Sequence, residues 1–196
     1  MPVDHGSPMA TATTARTSLT YEDLIDTPHG DGKRYEILGG ELFVSAPPSK
    51  RHAWISFQLA LRLAEYVEQR ALGVVFHAPV DVRLTHNDVV VPDVIFLSTA
   101  RRHLFGEQRI DGAPDLVVEV LSPSTRSRDL TAKLQLYAQT GVQEYWIVDQ
   151  VTATVTLYWR APHGSYELIS SESDRVRSRV VPGFELETTE LIAGLD

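Results

Sequence analysis

Apolar and polar positions recur along this chain with periods that outline its elements. Ile55, Leu59, Leu63, Tyr66 and Val67 stand at helical spacing. They predict a long helix with Ser49 as N-cap, running to about Arg70 and closed by Gly73. Thr20 to Asp26 predicts a short helix capped by Thr20, with Glu22 and Asp23 in its first turn. Residues 35–38 and 41–45 are strand-like and flank Gly39-Gly40, a two-residue hairpin signal. Further strands are expected at 74–76, at 80–84, and from Val89 into the run that carries Asp93. Residues 98–112 are polar and suit a surface loop or lid.

Asp115 to Leu121 is almost continuously apolar, the pattern of a strand buried on both faces. A helix follows to about Thr140, capped by Ser124, Thr125 or Ser127. Its core stripe is Leu130, Leu134, Tyr137 and Ala138, and Gly141 stops it. Glu144 to Asp149 is another buried strand. This strand-helix-strand order predicts a right-handed crossover and a parallel pair. Residues 152–159, 166–169 and 175–181 alternate with turns between them, as an antiparallel meander extending or packing beside the sheet.

The 196 residues fit a single domain over 19–196, preceded by a small, polar, aperiodic tail over 1–18 that is expected to be disordered. No run approaches the roughly 18 apolar residues of a membrane helix, and the N-terminus lacks the apolar core of a signal peptide, so a cytoplasmic protein is expected. With no cysteine, any metal must be held by oxygen or imidazole. A net charge of −8 argues against non-specific coating of nucleic acid, but leaves room for an enzyme with a small basic patch.

Two acids interrupt the apolar strands. Asp93 follows Pro92 at the head of VIFL, and Glu119 sits inside DLVVEVL. A carboxylate in such a strand is costly unless it is paired or binds a metal. Two of them on neighbouring strands, followed by a helix carrying Lys133, suggest a site for a hard cation such as Mg²⁺ or Mn²⁺. Asp93, Glu119 and the backbone carbonyl of Val120 would be its ligands. Lys133 would activate water or neutralise charge on a phosphate. The plainer alternative is that Asp93 ends a turn, as Asp115 does after Pro114, and that Asp129 and Lys133 form an i,i+4 surface pair. His52 lies one turn before Ile55, on the side facing the sheet. It orients water or contacts phosphate, or is simply a hydrogen-bonded histidine at a helix start. Leu121 to Thr125, with Arg126 and Arg128 beside it, leads into a helix N-terminus that binds phosphate or is merely capped. Arg101 and Arg102 contact a DNA backbone or keep a loop soluble. Tyr145, Trp146 and Trp159 fall in strand patterns, as core.

Residues 35–42, 47–52 and 78–83, Pro92-Asp93, residues 113–125, Asp129-Leu130 with Lys133, and residues 144–149 occur in one order between about Leu19 and Trp159. Together they resemble a bacterial family of restriction-endonuclease-like proteins of unknown function, similar to the PD-(D/E)XK nuclease superfamily. The resemblance implies an α/β restriction-endonuclease-like fold, with a central mixed β-sheet flanked by helices and the C-terminal antiparallel meander added. It implies Mg²⁺-dependent hydrolysis of a DNA phosphodiester, with DNA as partner. One departure stands out: the superfamily carries a lysine two residues after the acid, where this chain has Leu121. In this branch the lysine comes from the following helix, as Lys133. The superfamily often adds an acid near its first helix, for which Glu41 ranks ahead of Glu36. Such enzymes often pair as homodimers, here through an exposed edge of the meander. The missing lysine and acidic surface favour an alternative, a non-catalytic nuclease fold that binds DNA or protein. Hydrolysis of another phosphoester ranks last, since there is no Gly-rich phosphate loop.

Overall fold

The computed structural model describes residues 18–28 and 30–195. The tail expected over 1–18 lies, Ser18 apart, outside the described residues. The chain opens with α1 (Tyr21–Ile25), where Thr20 and Asp23 form a capping box. A hairpin of β1 (Arg34–Leu38) and β2 (Glu41–Ser45) turns on Gly39 and Gly40, both at positive φ. Next is α2 (Lys50–Gln69), capped by the Ser49 hydroxyl, which accepts from the His52 amide at 3.1 Å. The left-handed residue just beyond this helix is Ala71, at φ 52°. Gly73, expected to close the helix, instead opens β3 (Gly73–His77). A Cβ there would come within 2.0 Å of the Leu97 carbonyl oxygen, so the close approach of two backbones requires glycine.

Then come β4 (Val82–Thr85), β5 (Asp88–Val90) and β6 (Val94–Ser98). The run from Val89 is therefore not one strand. It breaks at residues 91–93, where Pro92 has no amide for a ladder, and the chain passes from one sheet to another. The polar connection 98–112 is also not an open loop. It holds a 3₁₀ helix (Thr99–Leu104) and β7 (Ile110–Asp111), whose Ile110 is fully buried. β8 (Leu116–Val120) follows. The single helix expected up to Thr140 is split at Thr131, with φ −129° and ψ −82°, into α3 (Arg126–Leu130) and α4 (Ala132–Thr140). Gly141 ends α4 in the left-handed conformation. The remainder is β9 (Glu144–Asp149), β10 (Thr154–Arg160), β11 (Tyr166–Ser173), β12 (Arg175–Arg177), β13 (Glu185–Glu187) and α5 (Thr189–Ile192).

One sheet has the order β2-β1-β5-β4-β7; the central one has the order β11-β10-β9-β8-β6-β3. The central sheet is mixed: β8 and β9 run parallel, as the crossover requires, and the other pairs are antiparallel. β10 and β11 extend it as the C-terminal antiparallel hairpin. The third run of the meander leaves it, because β12 pairs with β13 in a sheet of its own. Alternation sorts the side chains of β8 between two cores. Leu116, Val118 and Val120 face α2 through Ile55, Leu59 and Leu63. Val117 and Leu121 face α4 through Tyr137. Glu119, in phase with Val117 and Leu121, is thereby aimed at α4. Among the described residues no helix is long and apolar enough to cross a membrane.

Candidate active site

The register of β6 against β8 creates the site. Val94 lies opposite Val118 in an antiparallel pair, so Asp93 and Glu119, one step outward on each strand, come level with each other. His52 from the first turn of α2, Arg34 from the start of β1 and Lys133 from α4 join them around a cavity of about 170 Å³. Asp93, Glu119 and Lys133 are each no more than 2% exposed.

Asp93 accepts a hydrogen bond from Arg34 Nη2 at 2.7 Å through Oδ1. Its Oδ2 accepts from the Val120 amide at 2.7 Å and lies 3.2 Å from His52 Nε2. Burial pushes this carboxyl up, but His52, Arg34 and the Val120 amide outweigh it and hold Asp93 well below the usual carboxylate range. Glu119 accepts through Oε1 from Lys133 Nζ and from the Tyr137 hydroxyl, both at 2.8 Å. Burial pushes Glu119 up, Lys133 draws it back, and the like charges of Asp129, Asp93 and Glu36 add to the rise, which reaches about 8. Lys133 Nζ also lies 2.7 Å from Glu36 Oε1 and 3.6 Å from Asp129 Oδ1. Burial works against its charge, and Glu119, Glu36 and Asp129 more than restore it. Glu36 is fully buried, accepts from the Val91 amide at 2.9 Å, and pairs with Arg128 at 3.2 Å.

Four acids (Glu36, Asp93, Glu119, Asp129) thus face three permanent cations (Arg34, Arg128, Lys133). With all acids ionised and His52 neutral, the cluster carries one negative charge in excess. Such a charge is costly where water is excluded. A proton on Glu119 or a cation in the cavity removes it. Asp129 Oδ1 and His52 Nδ1 are buried, line this cavity with their residues, and lack a hydrogen-bond partner among the described residues. The donor set of Asp93, Glu119 and the Val120 carbonyl, oxygen throughout, fits a hard divalent cation.

Of the residues singled out in the sequence, Asp93, Glu119, Val120, His52 and Lys133 come together. Glu41 does not. It is exposed at the turn end of the hairpin, opposite Leu38, whereas the cavity lies at the Arg34–Ser45 end. Four residues of strand separate the two by about 13 Å. The buried acid from this hairpin is Glu36, so the order expected for the two is reversed. The test that singled out Glu119, an acid inside an apolar strand, applies equally to Glu36 in YEIL. Arg34, two residues earlier on the same face, follows from it by alternation. The i,i+4 pair of Asp129 and Lys133 is present but buried. The 122–125 segment is a turn in which the Thr125 amide donates to Ser122 Oγ at 3.3 Å, and Arg126 and Arg128 pair with Asp149 and Glu36. Arg101 donates to the Ala113 and Pro114 carbonyls, so it braces the fold.

A family model, Uma2, described as "Putative restriction endonuclease", matches residues 20–189. The chain belongs to the Uma2 family. An uncharacterized protein of Synechocystis sp., slr1290, is 24% identical over 166 residues, which cover 83% of this chain and 86% of that protein. The crystal structure of a "putative nuclease belonging to DUF820" from Anabaena variabilis superposes with a TM-score of 0.71 at 18% identity, covering 88% of this chain and 97% of that one. At that identity the likeness is one of fold. Family and fold both agree with the restriction-endonuclease-like architecture, and Uma2 membership groups the chain with endonucleases.

Proposed function

We propose that this Uma2 protein is a divalent-metal-dependent DNA endonuclease, acting in the cytoplasm as one domain over residues 19–196. The observation that supports this most is the convergence of Asp93, just before β6, Glu119 of β8 and Lys133 of α4 on one buried cavity. Mg²⁺ or Mn²⁺ would be held by Asp93, Glu119 and the Val120 carbonyl. Bound there, it would polarise the scissile phosphodiester and help to generate hydroxide. The rest is the work of the chain's own residues. Arg34, with its side chain 19% exposed, is the cation nearest solvent and can offer its fork of donors to a phosphate. Lys133 places an ammonium beside Glu119 to offset charge that builds on the phosphate, and Glu36 positions it at 2.7 Å. His52 holds the orientation of Asp93. Leu121, in the lysine's usual place, packs in the core with Tyr137, which leaves the approach from α4 as the route for a lysine. The edge strand β11 exposes Leu168 and Ile169, which supports a homodimer formed there.

Incubation with plasmid DNA and Mg²⁺ or Mn²⁺ is expected to nick or linearise it, and the Asp93→Ala, Glu119→Ala double variant to be inert. Cleavage that survives in the double variant removes this site from the reaction. A second reading, a nuclease fold kept for binding, is favoured by Asp93 having both oxygens engaged and by no ready group of three metal-type ligands existing among the described residues. Calorimetry separates the two: a folded wild type that takes up neither Mg²⁺ nor Mn²⁺ supports the binding module.

A further inference from the structure

A second cavity, of about 440 Å³, lies beside the first and shares Arg34, Pro48, His52 and Asp93 with it. Its other walls come from parts of the fold that take no part in holding Glu119 or Lys133. They include Leu24 of α1, Ala53 and Ser56 on α2, His77 at the end of β3, and Pro79 and Val91. Its exposed surface is mainly apolar, with Thr27, Lys33, Tyr35 and Asp81 also in the lining. A polar pair is set into it, Ser56 Oγ and His77 Nε2 at 3.1 Å, and the Ser56 hydroxyl also donates to the Ala53 carbonyl at 3.1 Å. The His77 ring is held edge-on by Phe57, with centroids 6.3 Å apart. A concave, mainly apolar pocket with a few placed polar groups is the usual form of a site for a small planar ligand.

The two cavities meet at Arg34 and Asp93, where the nuclease reading puts the reacting phosphate. A nucleotide attached to that phosphate has its sugar and base within reach of the second cavity. A base that is paired and stacked in a duplex cannot enter a concavity of this kind, whereas an unpaired one can, and histidine and apolar walls suit its flat face. We propose that the second cavity receives the unstacked base of a nucleotide joined to the scissile phosphate, so that the substrate is single-stranded or locally opened nucleic acid. The inference rests on the nuclease reading for the position of the phosphate; apart from the four shared residues, its pocket stands on separate ones.

The test is an oligonucleotide carrying 2-aminopurine, whose fluorescence rises when it leaves the stack. It is titrated with the full chain, with Ca²⁺ in place of Mg²⁺. Wild type is expected to raise the signal. Ala53→Phe puts a ring into the second cavity from an exposed helix position, and is expected to abolish the rise and weaken binding about tenfold. Ala53→Ser, which leaves the space open, is expected to keep it. No rise with wild type, or a rise that Ala53→Phe leaves intact, overturns the proposal. Plasmid cleavage by a wild type that gives no rise overturns the pocket and spares the nuclease reading. A rise lost in Ala53→Phe, in a protein that cleaves nothing, does the reverse.

Discussion

Replacing Lys133 with Met asks whether one buried ammonium lets several carboxylates share a dry wall. Methionine keeps most of the length and apolar stem of lysine but leaves Glu36, Glu119 and Asp129 facing one another, with Arg128 remaining only on Glu36. Removing one partner of a buried ion pair costs about 3–5 kcal/mol, because the other is left uncompensated. For a chain of this size each kcal/mol moves Tm by about 2–4 °C, so a fall of roughly 6–20 °C is expected. The loss depends on pH. Without the ammonium, which draws both back, Glu119 and Asp129 are raised further above their unfolded values. A raised carboxyl contributes stability below its unfolded pKa and loses it as pH rises through the folded one. The deficit of Lys133→Met is therefore small near pH 5 and large near pH 8. Urea denaturation at both pH values measures it. Adding Glu119→Gln to Lys133→Met is expected to recover part of the loss, since both ends of the pair are then uncharged. A deficit under about 1 kcal/mol at pH 8, or one equal at the two pH values, refutes the argument that Lys133 neutralises buried acid.

Other consequences follow from the same geometry. In wild type, Glu119 titrates near 8 when folded and near 4.5 when unfolded, so its contribution to stability falls as pH rises from about 4.5 through 8; Glu119→Gln is expected to flatten that slope in urea melts. Gly73→Ala forces a Cβ against the Leu97 carbonyl and the Ser98 Cα, both backbone, and is expected to cost several kcal/mol or prevent folding, as read by thermal melting. Glu41→Ala, at the exposed turn of the hairpin, is expected to leave plasmid cleavage unchanged, which would not hold if Glu41 supplied the additional acid. Ser49→Ala removes the cap that accepts the His52 amide and is expected to lower stability by about 1 kcal/mol in urea.

Local pattern alone carried the elements whose periods are long or whose punctuation is strong. The α2 stripe with its Ser49 cap, the Gly39-Gly40 hairpin, the buried β8, the parallel β9 and the left-handed stop at Gly141 were all legible. Each depends on neighbours within a turn or two, or on a handedness rule. The acids were legible for a related reason: a carboxylate amid valines is costly wherever the strand ends up, so Asp93 and Glu119 announced themselves before any partner was known. What those acids would meet was not local. Glu36, amid the apolar residues of YEIL, carried the same signal as Glu119, but only the pairing of β1 with β5 and the contacts of Glu36 with the Val91 amide, Arg128 and Lys133 set it in the site and leave Glu41 at the surface. The split at Thr131 carries no sequence signal of its own, and for Lys133 the spacing left open both a place in the site and a surface pair with Asp129. It is the docking of α4 on the Glu119 face of β8 that shuts its ammonium among three carboxylates. Sequence determined which residues could not be left alone in an apolar core; tertiary packing decided which charges they were given, because electrostatic partners separated along the chain are brought together only by the register of strands and the seating of a helix.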